Sequence, residues 1–469
     1  MSDPYYFYEE SEIRNQDLPP SWRNEVALDE LENFLQENWN LRPAYYSDGK
    51  KERKQQFISF LSHKSIRTNQ YIGSIMFNGE NINIFPKVFH TDKGKKDLDP
   101  KHLMRNIVKW LEYSNRALYP YIHITPNLED EDSFKELFIT LYIGSVKNII
   151  ERGPYYQYVD ETEDLVYLKG RFDVRDYIVK KVPNGHADRF RCTYSKYDYD
   201  NKINQIIKHT CKLLYPITTS NNQRSISFIL ARLNEVSDEK CTPGDCDRIQ
   251  FRNMRDGKML DSYRIIMSMS KMFLLNETPG LEFDYNKAYC FLFPTDLLFE
   301  GFVGGFIGEV VDLYGGKTFI QKSDMSLVDD LVIDGQSCGN AFKMKLDILV
   351  ETQDKVFILD TKYKVIPQYN EDTTRYKKAL IDKVDQGDLY QVCEYSRKRD
   401  VKDAFLLYPM YRYEEKELVY PVGISNGFSG MGNVVIHFIR LPFIFEEDEE
   451  KTKRLLKNII EEMLELKKS

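Results

Sequence analysis

The chain has 469 residues and a formal net charge of −8, with 42% apolar and 29% charged residues. That length exceeds one ordinary hydrophobic core, so two or three soluble globular domains are expected. The acidic balance excludes a protein that coats nucleic acid through bulk charge, and no apolar run approaches the ~20 residues of a membrane span.

The start, Met1-Ser-Asp-Pro4, has neither the basic region nor the apolar core of a signal peptide. The seven cysteines are odd in number and scattered, which suits a reducing cytoplasm. Cys241 and Cys246 flank a short turn, but no second pair or nearby His completes a zinc site, so they read as ordinary thiols. Lys50–Lys54, Lys93–Lys101 and Arg375–Lys402 are the basic tracks that could touch DNA locally; otherwise they are solvated faces.

Val26 to Trp39 reads as an amphipathic helix, with Leu28, Leu31, Phe34 and Leu35 on its apolar face. Tyr71–Phe77, the turn Asn78-Gly79-Glu80 and Asn81–Ile84 form a hairpin, because Asn-Gly supplies the positive φ values of a tight turn. Helices follow over His102–Tyr113 and Ser133–Arg152, the second stopping at Gly153-Pro154. Short extended pieces at 155–173 come first; Tyr197–Asn204 then leads into a helix through Leu214, capped by Asp200 or Asn201. Residues 225–275 read as two more helices with a Cys241–Arg248 loop between them.

Asp296–Leu313 is a helix punctuated by glycine. Glu300, Gly304 and Gly308 share one stripe, so a neighbouring strand can approach closely and Glu300 can reach into the same gap. Gly315-Gly-Lys-Thr318 ends like a phosphate-binding loop, but Val311 stands where that loop needs its first glycine, so no nucleotide site is assigned. Downstream, Asp388–Tyr395 is helical, Phe405–Tyr408 and Val434–Phe438 read as strands, and Arg454–Leu466 is a terminal amphipathic helix.

The most informative stretch is Lys343–Val350, a polar turn, then Lys355–Lys362, which reads as an antiparallel hairpin. Asp360 and Lys362 share one face. A pairing of Val350 with Val356 sets Asp347 opposite Leu359 or Asp360, with the two carboxylates roughly 5–8 Å apart. Two such charges repel unless a proton or a cation intervenes, and oxygen ligands suit a hard ion such as Mg²⁺. Asp-x-Lys also occurs at Asp48, Asp99, Asp200, Asp238, Asp256 and Asp400, but only Asp360 sits in a strand context with an acid 13 residues upstream. This layout resembles the PD-(D/E)xK nuclease superfamily.

An ordered series of short motifs carries a second resemblance. Gly73 with Ile84-Phe-Pro86-Lys87, Arg152-Gly153 with Tyr158, Lys169-Gly170-Arg171 with Asp173, and Tyr197-Asp198 with Asn201 and Asn204 resemble the front half of the McrC subunit of McrBC-type restriction systems. Leu298-Phe-Glu300, Asp347, Leu359-Asp360-Thr-Lys362 and Asp388-Leu-Tyr-Gln391 with Tyr395 resemble its nuclease half. The likeness runs over most of residues 65–440.

It implies a mixed α+β protein. Residues 1–150 would be a β-rich and helical partner-docking domain, 151–280 a mostly helical middle region, and 281–469 a PD-(D/E)xK endonuclease domain with a central mixed sheet. It also implies a cytoplasmic, Mg²⁺-dependent DNA endonuclease subunit for phage defence, with Mn²⁺ as a substitute ion. Such a subunit has no motor of its own and works on double-stranded DNA with a McrB-like AAA+ GTPase hexamer, which it stimulates. In that reading Asp347, Asp360 and Glu300 bind the metal, Lys362 assists the attacking water, and Gln391 supports the site. The competing readings are a non-cleaving activator of an NTPase and a nuclease of another defence system.

Overall fold

The computed structural model describes residues 5–41, 54–61, 65–89, 100–114, 134–251, 257–275, 288–334, 336–366, 373–410, 422–428, 431–445 and 449–466. The basic stretches at 50–53 and 93–99 lie outside them. No helix of the described residues is long and apolar enough to cross a membrane.

The residues group into two compact units. One holds 1–40, 44–135 and 286–469, and the other holds 41–43 and 136–285. The expected split at 150 and 280 therefore becomes a first unit interrupted by a second. The reason is a strand pairing: Ala288–Pro294 runs antiparallel to Tyr71–Phe77, so chain from both sides of the middle region shares one sheet.

That sheet has the order Tyr5–Tyr8, Glu80–Phe85, Tyr71–Phe77, Ala288–Pro294. Its hairpin turns through Asn78 (φ 52°) and Gly79 (φ 77°), the left-handed pair that the Asn-Gly sequence favours. The helix Glu25–Leu41 packs Leu28, Leu31 and Leu35 with Ile75, Ile82, Ile84 and Leu292. Asn24 caps that helix, its side-chain oxygen accepting from Ala27 N at 2.7 Å.

The second sheet of this unit has six strands, in the order Lys317–Val328, Ala341–Glu351, Val356–Thr361, Asp403–Met410, Met431–Pro442, Val422–Phe428. The first three are antiparallel neighbours; Asp403–Met410 is parallel to the strands on both sides of it. The helix Gln386–Arg399 lies in the connection between Val356–Thr361 and Asp403–Met410, as a parallel crossover requires.

The helix Thr295–Asp312 supports this sheet and is almost wholly buried. A Cβ on Gly304 would come within 2.9 Å of Ile320 Cδ1 and 3.7 Å of Ile348 Cδ1. A Cβ on Gly305 would lie 2.0 Å from the backbone oxygen of Tyr113, in the helix Pro100–Ser114. The glycines thus let one helix press against both a strand and another helix.

The second unit contains most of the helix Phe134–Arg152, with Lys202–Leu214, Ser220–Arg232, Pro243–Arg248 and Gly257–Leu275. Asn201 rather than Asp200 caps Lys202–Leu214. The stretch at 241–248 is more than a loop, since a Thr242–Asp245 capping box and Pro243 start a short helix there. Nor is the region only helical. Gln157–Leu165 pairs along its whole length with Phe190–Asp198, and Arg171–Phe172 adds a third strand. Phe190–Asp198 escapes sequence reading because its residues are mostly polar or half-exposed and Cys192 alone of them is buried, too little for an alternating pattern.

Two motif groups find their role inside this unit. Gly170 (φ 67°) runs so close to the sheet that a Cβ would meet Thr193 O at 2.5 Å. The side-chain amides of Asn201 and Asn204 donate to Tyr155 O at 2.9 and 2.8 Å, tying the helix start to the strand entry. All seven cysteines are free thiols, buried except for Cys338.

Candidate active site

The ribbon Ala341–Glu351/Val356–Thr361 pairs Glu351 with Val356, Val350 with Phe357, and Ile348 with Leu359. This is one residue off a Val350–Val356 pairing, and the offset resolves the open choice. One step past the last pair, Asp347 faces Asp360. There the strands part, because the second one turns to its parallel neighbour: Asp360 pairs with Leu406, Thr361 with Leu407, and Lys362 N donates to Leu407 O at 2.8 Å. The amide of Thr361 then lacks a ladder partner on the first strand. Asp347 supplies one, its Oδ2 accepting from Thr361 N at 2.8 Å and from Thr361 Oγ1 at 2.9 Å.

Asp360 is 1% exposed. Lys362 Nζ lies 2.7 Å from its Oδ2, and apart from this ion pair neither carboxylate oxygen has a hydrogen-bond partner among the described residues. Burial pushes the Asp360 carboxyl up to about 7; the charge of Asp347 adds to the rise and Lys362 opposes it. Burial also disfavours the charge on Lys362, but Asp360, Asp347 and Asp388 outweigh it and hold that ammonium above the usual lysine range. The lysine is held from two sides, since Asp388 Oδ1 is 3.6 Å from its Nζ.

Glu300 reaches the same neighbourhood from the helix Thr295–Asp312. It is nearly buried, and burial with the nearby charge of Asp347 pushes it up to about 8, against a hydrogen bond from Gln321 Nε2 at 3.2 Å. Gln321 sits at φ 52° in the strand Lys317–Val328, next to a shift of register, and that conformation turns the strand locally.

Gln391 reaches the Asp347 strand through its helix neighbour Tyr395. Its Nε2 donates to Tyr395 OH at 2.9 Å, and Tyr395 OH donates to Lys345 O at 2.9 Å. The pair braces the strand two residues before Asp347. Both also line a groove of about 650 Å³ together with Phe342, Met344, Tyr390 and Arg397.

Asp388 and Lys364 were not singled out from sequence as site residues. Asp388 receives Lys364 at 2.9 Å as well as facing Lys362, so one acid organises both lysines. The available signal was position: Asp388 stands one helical turn before Gln391, in the first turn of the helix Gln386–Arg399. Gly315-Gly316 leads into the strand Lys317–Val328, whereas a phosphate-binding loop leads into a helix N-terminus.

Among the described residues no three His, Cys, Asp or Glu side chains form a ready-made metal cluster. The donor chemistry nonetheless fits a hard cation. Asp360 presents two buried oxygens, contacted only by the Lys362 ammonium among the described residues, beside a second carboxylate, with a third acid close enough to feel the second. Like charges gathered out of water leave a site short of positive charge, which a divalent ion would supply.

The family of McrBC 5-methylcytosine restriction system components matches residues 66–409. The chain is 24% identical over 225 residues to the type IV methyl-directed restriction enzyme EcoKMcrBC of Escherichia coli (strain K12), an alignment covering 46% of this chain and 61% of that relative. The chain thus spans less than two thirds of the curated relative it matches. A chain from the assembly of Thermococcus gammatolerans McrB AAA+ hexamers with bound McrC shares the fold, with a TM-score of 0.56 at 16% identity over 97% of this chain and 100% of that one. The motif series, the fold and the family match agree, and the protein is an McrC-like member of the McrBC family of 5-methylcytosine restriction system components.

Proposed function

We propose that this protein is the nuclease subunit of a McrBC-type restriction system, cutting double-stranded DNA with Mg²⁺ at a PD-(D/E)xK site. One observation carries the reading. The ribbon brings Asp347 across from Asp360 where its strands part, and Lys362 stands 2.7 Å from an otherwise unbonded, buried Asp360 carboxylate. The mixed sheet supports it, with an antiparallel ribbon followed by parallel strands through the Gln386–Arg399 helix.

Asp347 and Asp360 would hold the ion, with Glu300 as the third carboxylate and the Thr361 carbonyl as a possible further oxygen. A bound Mg²⁺ polarises the scissile phosphate and lowers the pKa of water. Lys362, charged and fixed between Asp360 and Asp388, aims an N–H donor where negative charge builds on the phosphate and helps orient the attacking water. The Gln391–Tyr395 link to Lys345 stiffens the strand that carries Asp347. Nucleotide hydrolysis would belong to a partner AAA+ GTPase; the assembly whose chain shares this fold names McrB AAA+ hexamers.

The test is reconstitution with the cognate AAA+ partner, GTP, Mg²⁺ and methylated plasmid. The native chain cuts both strands, and Asp360→Ala does not cut but still stimulates GTP hydrolysis. Equal cutting by native chain and variant removes the proposed site. Stimulated hydrolysis with no cutting by the native chain establishes the activator reading instead. The ion pair of Lys362 with Asp360 is what favours that second reading, since an ammonium already offsets part of the charge a metal would meet.

A further inference from the structure

Glu9 lies just past the strand Tyr5–Tyr8, is 2% exposed, and is remote in sequence from every residue of the site. It accepts three hydrogen bonds. Tyr363 OH and Lys87 N donate to Oε1 at 2.6 and 3.0 Å, and Thr295 Oγ1 donates to Oε2 at 2.6 Å. Each donor belongs to a segment the site uses or to a motif its chemistry left unexplained. Tyr363 directly follows Lys362. Thr295 is the first residue of the helix that carries Glu300. Lys87 ends the Ile84-Phe-Pro86-Lys87 run, and its ammonium pairs with Glu10 at 2.9 Å while lying 4.7 Å over the Tyr363 ring. That ring also packs against Phe299, the neighbour of Glu300, with centroids 5.8 Å apart.

A carboxylate buried without its own direct ion pair is expensive, and this one is filled with donors rather than replaced by an apolar residue. Burial pushes Glu9 up to about 7, against hydrogen bonds from Thr295 and Tyr363 and the charge of Lys87. A simple core filler explains none of the three donors. A brace explains all of them, because a single carboxylate spans the segment after Lys362, the start of the Glu300 helix and the end of the front hairpin.

We propose that Glu9 is a positioning residue for the cutting site: through Tyr363 and Thr295 it fixes the segment bearing Lys362 relative to the helix bearing Glu300. The proposal rests on the nuclease reading above. It predicts that the two halves of the site lose alignment when the brace is cut, while DNA binding by the complex is spared.

The experiment compares native chain, Glu9→Gln, Tyr363→Phe, the double variant and Asp360→Ala, each reconstituted with the AAA+ partner, GTP and Mg²⁺. Glu9→Gln is expected to lower kcat about 10- to 100-fold with KM for DNA unchanged. Tyr363→Phe moves kcat in the same direction, and the double variant is no worse than Glu9→Gln alone, since both changes weaken the same Tyr363–Glu9 link. Hydrogen exchange of segments 359–366 and 295–302 speeds up in Glu9→Gln, a readout independent of cutting. Unchanged kcat in Glu9→Gln and Tyr363→Phe, with Asp360→Ala inactive, overturns the brace and leaves the nuclease reading standing. Cutting by Asp360→Ala equal to the native chain overturns the nuclease reading and, with it, the role of Glu9 in cutting. If Glu9→Gln does not fold, Tyr363→Phe and Thr295→Val decide by the same measures.

Discussion

The ribbon Gln157–Leu165/Phe190–Asp198 and the ribbon Ala341–Glu351/Val356–Thr361 are both antiparallel pairs carrying Asp, Glu and Lys. In the first, every acid finds an inexpensive partner in water. Asp160 accepts from Ser195 at 2.7 Å, Glu161 pairs with Lys196 at 3.3 Å, and Lys181 beside Asp164 holds that exposed carboxyl below its usual range. In the second, Asp360 has the Lys362 ammonium as its one donor among the described residues, and burial lifts it to about 7. The side chains are alike and the solvation is not. Charge in the first ribbon is compensated and costs little; in the second it is kept out of water and undercompensated, as the proposed site would require.

The sharpest way to break this contrast is to remove the acid. Asp360→Ala in the reconstituted complex is expected to cut DNA at least about 100-fold more slowly, whereas Asp164→Asn cuts at the native rate. Plasmid linearisation under matched partner and Mg²⁺ concentrations measures both. A comparable loss in Asp164→Asn would mean that the exposed ribbon takes part in cutting.

A second test probes the support beneath the buried ribbon. Gly305→Ala drives a methyl into the Tyr113 carbonyl, a clash with backbone that cannot rotate away, and is expected to lower unfolding free energy by about 3 kcal/mol. Urea denaturation followed by circular dichroism reads it.

A third test uses pH. Asp360 has a folded value of about 7 against the ordinary 3.8, so the folded state holds the proton more tightly than the unfolded chain does. Stability is therefore fullest below the unfolded value and falls as pH rises from there to about 7. Asp360→Asn lacks that group, so from pH 5 to 7 its stability should fall less steeply than the native chain's, by about 1 kcal/mol per pH unit. Mg²⁺ at pH 8 should raise the melting temperature of the native chain and leave Asp360→Asn unmoved. Parallel curves for the two proteins would show that the buried acid is compensated after all.

The smallest effect belongs to the exposed ribbon. Asp164→Asn breaks a solvated ion pair with Lys181 and should leave stability at neutral pH within the error of unfolding curves.

These two ribbons also mark what could be read in advance. The buried one announces itself, because Leu346, Ile348, Leu349, Val350, Phe357, Ile358 and Leu359 demand a strand buried on both faces. The Asn78-Gly79 hairpin and the Glu300/Gly304/Gly308 stripe were legible for similar local reasons. The strands Phe190–Asp198 and Lys317–Val328 and the helix Thr373–Lys383 were not, since their residues are mostly polar or half-exposed and carry no strong period. The three-part division was read as consecutive because nothing local in Ala288–Pro294 reveals that its partner lies at Tyr71–Phe77.

From the amino-acid order alone came Asp360 and Lys362 on one ribbon face, with Asp347 near them on the facing strand, since alternation along a strand is a property of the backbone. Tertiary structure decided the rest. It chose the register that sets Asp347 against Asp360, tied Gln391 to Tyr395, and brought in Asp388 and Glu9 from elsewhere in the chain. Register, burial and long-range hydrogen bonds depend on which distant segments exclude water together, and no window of sequence contains that information.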